Sequence, residues 1–273
     1  MSAAVAEPLG LIAGNGRFPF LVAAAGRKAG RRVVAVAIRE EAENALEGEV
    51  DETHWVSLGQ LGRAIDALKA AGVREAVMAG QVKHKQIFSD VVPDLKLMGV
   101  IARLAFKNTD SLIGGVADAL EREGIRLLPS VMLLADQMAA GGAMTRRSPS
   151  KDEHRDIDYG REVGRTLAGL DLGQTVVIKD RAAVALEAME GTDEVIERAG
   201  RIAGPGTVVV KVAKPKQDMR FDVPVVGRAT IEAMARAGAC ALALDAGKTL
   251  LLDKPEVLRA ADEAGIAIWG MAG

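Results

Sequence analysis

The 273-residue chain is short of aromatic residues and of cysteine, and neither charge sign is in large excess. One cysteine, Cys240, excludes an intrachain disulfide and any cysteine-built metal cluster. It lies in the apolar run ACALAL, where a buried, inert thiol is expected. The three histidines, His54, His84 and His154, have no zinc spacing, so a bound metal would be held by carboxylates, as Mg²⁺ or Mn²⁺ is. Aromatics are 3% of residues, which leaves core building to Ala, Val, Leu and Ile. Lys and Arg total 35 against 37 Asp and Glu, a balance that gives no footprint for nucleic acid. No apolar run approaches the length of a membrane span. The start, MSAAVAEPLGLIAG, lacks the basic and apolar segments of a secretory signal, so a soluble, cytoplasmic protein is expected.

What is present is apolar material, 49% of residues, in a chain long enough for two domains. Strand and helix signals alternate at first: LGLIAG (9–14), a helix over 20–30, strands at 31–38 and 53–59, a helix over 59–72 and a strand at 74–82. That alternation predicts a parallel, Rossmann-like sheet. Residues 93–124 look helical, and a short strand is expected at 125–130. The polar stretch 141–156 has no apolar period, so 141–157 is expected as a linker or exposed loop. Beyond it, helices at 158–170, 191–200, 229–238 and 253–265 interleave with strands at 175–180, 182–189, 207–213, 239–246 and 248–253. Thr192 is expected as a helix N-cap, and Asp253 with Glu256 as a capping box. The expected fold class is therefore α/β, with a Rossmann-like N-terminal domain (1–140), an α+β catalytic domain (158–273) and the active site between them.

Four constellations and one single residue, Asp110, could carry chemistry. Gly14-Asn15-Gly16 follows the first strand, where glycines let backbone N–H groups approach a phosphate. Pro19 stands where the dinucleotide fingerprint has its third glycine, so NAD is poorly supported. Gly80-Gln81 ends the fourth strand, where open α/β sheets receive ligands, although a solvated turn explains it as well. Asp110 precedes a helix, as a ligand contact or simply a cap. Glu190-Gly191-Thr192-Asp193 gathers backbone donors, a hydroxyl and two carboxylates at a helix start; capping and dipole compensation account for part of it. The richest is Lys211-Val-Ala-Lys214-Pro-Lys-Gln217-Asp218-Met-Arg220-Phe-Asp222-Val-Pro224. A buried strand there delivers cations for a diphosphate, acids for Mg²⁺ and an amide for a sugar or a water.

Taken in order, LGLIAGNGRFP, MAGQV, DLGQTVVIK, EAMEGTDEVI and KVAKPKQDMRFDVPVVGRATIEAM resemble the UDP-2,3-diacylglucosamine pyrophosphatases of the lipid A pathway over essentially the whole chain. The resemblance implies Mg²⁺-supported hydrolysis of UDP-2,3-diacylglucosamine to UMP and 2,3-diacylglucosamine 1-phosphate (lipid X), by water attack on the α-phosphorus. It implies an important acid in the QDMRFD motif, Asp222 first and Asp218 second, as base or metal ligand. Lys214 and Arg220 are assigned to the phosphates, Gln217 to substrate orientation, and Glu190, Gly191, Thr192 and Asp193 to the phosphate or metal shell. Gly14, Asn15, Gly16, Gly80, Gln81 and Asp110 would meet nucleotide or sugar. The helix LKLMGVIARLAF (95–106) would line an acyl-chain cavity, rest on the cytoplasmic face of the inner membrane, or simply pack in the core. A homodimer is the base-rate expectation for a soluble enzyme. The competing readings are a nucleotide-dependent oxidoreductase and a non-catalytic binder of a nucleotide or lipid phosphate.

Overall fold

A computed structural model of the chain describes residues 7–82, 92–104 and 109–272, with Thr109 and Asp110 described through their backbone alone. The chain divides into two compact units: residues 1–134 with Met219–Asp222, and Ala135–Asp218 with Val223–Gly273.

In the first unit the apolar runs become β1 (Leu9–Ala13), β2 (Val33–Ile38), β3 (Glu52–Val56), β4 (Glu75–Ala79) and β5 (Arg126–Leu127). All pair in parallel, in the order β3-β2-β1-β4-β5. Val33 through Ala37 are fully buried, as expected of strands covered on both faces. The helices among the described residues are α1 (Phe18–Lys28), α2 (Leu61–Ala70), α3 (Leu95–Ile101) and α4 (Thr109–Arg122). On α2, Leu61, Ala64, Ile65 and Leu68 recur at helical spacing and form one buried face. Asp94 caps α3 by accepting the Leu97 N–H at 2.9 Å. The strand order reverses between β1 and β4, which marks the carboxyl ends of those two strands as the ligand crevice of this architecture.

The second unit is a six-stranded mixed sheet, β6-β13-β11-β9-β7-β8. Its strands are β6 (Gly142–Ala143), β7 (Thr175–Lys179), β8 (Ala182–Leu186), β9 (Val208–Lys211), β11 (Ala241–Asp245) and β13 (Ala267–Met271); β10 (Val225–Val226) pairs separately with β12 (Leu250–Leu251). β9, β11 and β13 are parallel, while β7 runs antiparallel to β9 and β8. The period of two sorts its side chains. Val208, Val210 and Val212 pack with Ile157 and Leu167 of α5 (Lys151–Gly169). Val209 and Leu242 pack with Val195, Ile231 and Val257 from α6 (Thr192–Ala203), α7 (Arg228–Ala237) and α8 (Lys254–Glu263). Gly160 lets α5 lie close on the sheet, because a Cβ there would stand 2.6 Å from Val210.

The structure corrects several expectations. Residues 141–157 are no linker: Gly142–Ala143 pairs with β13, and α5 begins at Lys151. Ser150 and Glu153 form a reciprocal capping box, and the Arg147 guanidinium holds Glu153 from outside the helix. Conversely, Asp253 sits at the start of α8 in the left-handed region (φ 53°) without a side-chain cap. Gly191, at φ 87°, is the N-cap of α6, and Thr192 is its first helical residue. Cys240 is half-buried, and burial, with the Glu153 carboxylate beside it, pushes its thiol up to about 12, as an inert thiol requires.

Candidate functional site

The first unit gathers Gly14, Asn15, Gly16, Gly80 and Gln81 at the carboxyl ends of β1 and β4. Asn15 N–H donates to Gln81 O at 2.8 Å and Gln81 N–H returns to Asn15 O at 3.1 Å, so the two exits are zipped together. Glycine is required here sterically: a Cβ on Gly14 would stand 2.5 Å from Gln81 O, and one on Gly80 (φ 92°) 2.7 Å from Asn15 O. Asn15 and Gly16 remain half-exposed beside the start of α1. Asp110 lies in the first turn of α4, with its side chain outside the described residues.

Met219–Asp222 belongs to this same unit. Its anchor is Ser130, buried to 1% exposure, whose N–H donates to Met219 O at 3.0 Å and whose Oγ lies 2.6 Å from both Arg220 O and Met78 O. Phe221 packs against the first unit's apolar core, and Arg220 pairs with Glu121 of α4 at 2.8 Å. The segment is thus tied down through its backbone, a ring and a guanidinium, and this fixes where the half-buried Asp222 begins.

The second unit's groups collect at the carboxyl edge of its parallel strands. Lys211 ends β9, Asp245 ends β11, Glu187 follows β8, and Thr175 opens β7 opposite Lys211. All four are buried. Lys211 Nζ donates to Thr192 Oγ1 at 2.6 Å, and Thr192 donates to Glu187 Oε1 at 2.9 Å. Asp245 Oδ2 accepts the Ala213 N–H at 2.8 Å and so sets the direction in which the chain leaves β9. In the turn that follows, Gln217 Oε1 accepts the Lys214 N–H at 2.5 Å, and Lys214 Nζ lies 2.8 Å from Asp171. Lys214, Gln217 and Asp218 are half-buried.

Of the Glu190–Asp193 motif, only Thr192 reaches this buried cluster. Glu190 pairs with Arg198, whose guanidinium holds the carboxyl below its ordinary range. Asp193 accepts the Thr230 hydroxyl at 2.8 Å and joins α6 to α7. Asp245, Thr175 and Ser130 belong to none of the constellations that the sequence marks out. A charged residue closing an apolar run, as in VVVK and LALD, is the signal that marks Lys211 and Asp245.

These positions fall in two matched family domains: the LpxI N-terminal domain over residues 8–137 and the LpxI C-terminal domain over 140–269. A curated relative from Caulobacter vibrioides, the UDP-2,3-diacylglucosamine pyrophosphatase LpxI, is 32% identical over 274 residues, spanning 96% of this chain and 97% of its own length. The chain belongs to the LpxI family. The QDMRFD motif lies in the LpxI C-terminal domain by sequence, yet its Met219–Asp222 part packs within the first unit. Among solved structures, the biotin carboxylase domain of a thermophilic 2-oxoglutarate carboxylase bound to ADP is 15% identical, with a TM-score of 0.28, over 71% of this LpxI-family chain and 32% of its own length. The corresponding domain from Hydrogenobacter thermophilus, with MgADP, is 14% identical with a TM-score of 0.27, and the LpxI-family chain covers 41% of it. Likenesses that weak carry no argument about function.

Proposed function

We propose that this LpxI-family chain hydrolyses UDP-2,3-diacylglucosamine to UMP and 2,3-diacylglucosamine 1-phosphate, the pyrophosphatase step of lipid A biosynthesis. The observation that carries the reading is the end-to-end match to a relative bearing that name. Water attacks the α-phosphorus, its oxygen stays on UMP, and the bond from that phosphorus to the bridging oxygen breaks. The attacking water gives up its proton to a carboxylate, for which Asp222 is the first choice and Asp218 the second. Lys214 and Arg220 meet non-bridging oxygens by exchanging Asp171 and Glu121, carboxylates that are 48% and 45% exposed and therefore readily displaced.

The donor set suits Mg²⁺, with Mn²⁺ as its substitute. Asp218 and Asp222 offer oxygen ligands alone, and no group of three or more His, Cys, Asp or Glu side chains forms a cage among the described residues. Mg²⁺ usually keeps several waters and takes one or two carboxylates plus substrate phosphates. When bound, it supplies neutralising charge to the diphosphate.

Among the described residues no helix is long and apolar enough to cross a membrane. On α3, Leu97 and Val100 are buried while Leu95 is 83% exposed, which supports a lipid-facing role for this helix and peripheral contact with a membrane at the cytoplasmic face. Flotation of the protein with anionic liposomes, lost in Leu95→Glu, checks that contact; no flotation ends it. A homodimer, the base-rate state for such an enzyme, is read by light scattering.

The deciding experiment resolves the products formed from UDP-2,3-diacylglucosamine and Mg²⁺. UMP and the lipid 1-phosphate are expected, and Asp222→Ala should lose about 10²–10⁴-fold in turnover. Retention of more than about a tenth of wild-type activity by that variant removes Asp222 from the mechanism.

A further inference from the structure

Lys211 is a buried cation that the proposed reaction leaves without a task. Its side chain closes β9 at 4% exposure and donates to Thr192 Oγ1 at 2.6 Å. A threonine hydroxyl carries one proton. Thr192 gives that proton to Glu187 Oε1 at 2.9 Å, so its lone pairs face Lys211 and Thr175 Oγ1, which lies 3.3 Å away. Glu187 is itself buried (8% exposed), and its other oxygen accepts the Gln174 N–H at 3.1 Å. Ammonium, hydroxyl and carboxylate therefore stand in a chain with one direction.

Stability does not explain such a chain. Taking a cation and a carboxylate out of water costs several kcal/mol per ion, and apolar residues of like volume usually serve a core as well or better. The preceding residues, Val208 to Val210, show that this strand is otherwise filled with valine. The location is informative. Lys211 lies at the carboxyl end of a parallel strand, the edge where α/β sheets take ligands, and three residues before Lys214 of the proposed site. Beside Glu187, the Gln174 amide oxygen is buried and has no hydrogen-bond partner among the described residues, so the cluster has not satisfied itself internally.

We propose that Lys211 is a second diphosphate-binding cation of the second unit, beside Lys214, and that Glu187, acting through Thr192, is a positioning residue that keeps the ammonium aimed at that edge. The identity of the diphosphate rests on the hydrolase reading; the anion site itself does not need turnover. The test is calorimetric titration of the full-length protein with inorganic pyrophosphate, with thermal unfolding followed in parallel. Lys211→Met should weaken binding at least about 10-fold, the loss of one charge-assisted hydrogen bond. Thr192→Val and Glu187→Gln should each weaken it about 3- to 10-fold. Their combination should be no worse than either alone, because both act through one hydroxyl. Thr192→Ser, which keeps that hydroxyl, should restore wild-type affinity. Wild-type affinity in Lys211→Met, or additive losses in the double variant, would overturn the proposal. Should Lys211→Met fail to fold, the Thr192→Val and Thr192→Ser pair decides, since equal affinities there also overturn it. A wild-type protein that ignores pyrophosphate refutes the anion site. One that binds it through Lys211 yet releases no UMP from the nucleotide lipid refutes the hydrolase reading instead.

Discussion

Replacing Ser130 by alanine deletes a hydroxyl that lies 2.6 Å from two carbonyl oxygens, Met78 O on β4 and Arg220 O. One proton satisfies one of them at a time. Removing it leaves a carbonyl without its donor at a residue of 1% exposure, for about 1–3 kcal/mol. Other holds on the tetrapeptide survive, among them the Ser130 N–H to Met219 O, Phe221 in the core, and the Arg220–Glu121 pair. The expected result is therefore a loosened segment and not a released one, with a stability loss of about 1–2 kcal/mol and a fall in melting temperature of about 3–6 °C. Catalysis should suffer more, because a misplacement of about 1 Å can cost on the order of 10²-fold in rate. We expect a 10- to 100-fold fall in kcat, as orders of magnitude. The control is Ile65→Val on α2, which should cost about 0.5–1.5 kcal/mol of stability at full turnover. Differential scanning calorimetry alongside UMP release makes the comparison. Wild-type kcat in Ser130→Ala, or an equal fall in Ile65→Val, would refute the anchoring argument.

Other outcomes follow from single contacts. Asp156 accepts the N–H groups of Asp180 (3.1 Å) and Arg181 (2.6 Å), two non-glycine residues at positive φ in the β7–β8 turn, so Asp156→Ala should cost roughly 2–3 kcal/mol in urea denaturation. Arg181→Gly should recover roughly 0.5–1 kcal/mol by removing the left-handed strain, and loss of stability there would contradict the assignment. Burial raises the Glu153 pKa, but the Arg147 guanidinium and the Ser150 N–H outweigh it and hold the carboxyl at about 2, against 4.5 unperturbed. A depressed acid stabilises above its unfolded pKa and loses that contribution as pH falls, so Glu153→Gln should flatten the stability profile between pH 4.5 and about 2. An unchanged acid limb would refute the pairing. Asp171→Asn removes one carboxylate from Lys214 while tolerating the left-handed backbone (φ 56°), and should lower KM about 2- to 5-fold with little change in kcat, the worth of one exposed ion pair. A raised KM would show that Asp171 helps the substrate.

Much of the fold was legible because several of its strands, β1 and β2 above all, are apolar runs near a glycine. β1 and β2 lie within a residue or two of their expected places, β4 starts one residue late and ends three early, and the first sheet is the expected parallel, Rossmann-like one. The start of α5 was not legible from periodicity, since KDEHRD offers no apolar face; the capping box Ser150 to Glu153 was the available signal. β13 was missed because AIWGM is short and carries an inner glycine, needed where Gly270 meets Ala140 O. Site residues were legible as motifs, yet their partners were not. Ser130 and Arg220 stand 90 positions apart in the chain, and no local pattern pairs them. Thr192 fits an N-cap by residue type, but Gly191 takes that role and frees the hydroxyl for Glu187 and Lys211.

The most direct test of the central claim is UDP-2,3-diacylglucosamine turnover in H₂¹⁸O with Mg²⁺, followed by mass analysis of both products. One ¹⁸O in the phosphate of UMP and none in the lipid 1-phosphate is the predicted result. Label in the lipid phosphate would contradict attack on the α-phosphorus, and absence of UMP altogether would contradict the activity.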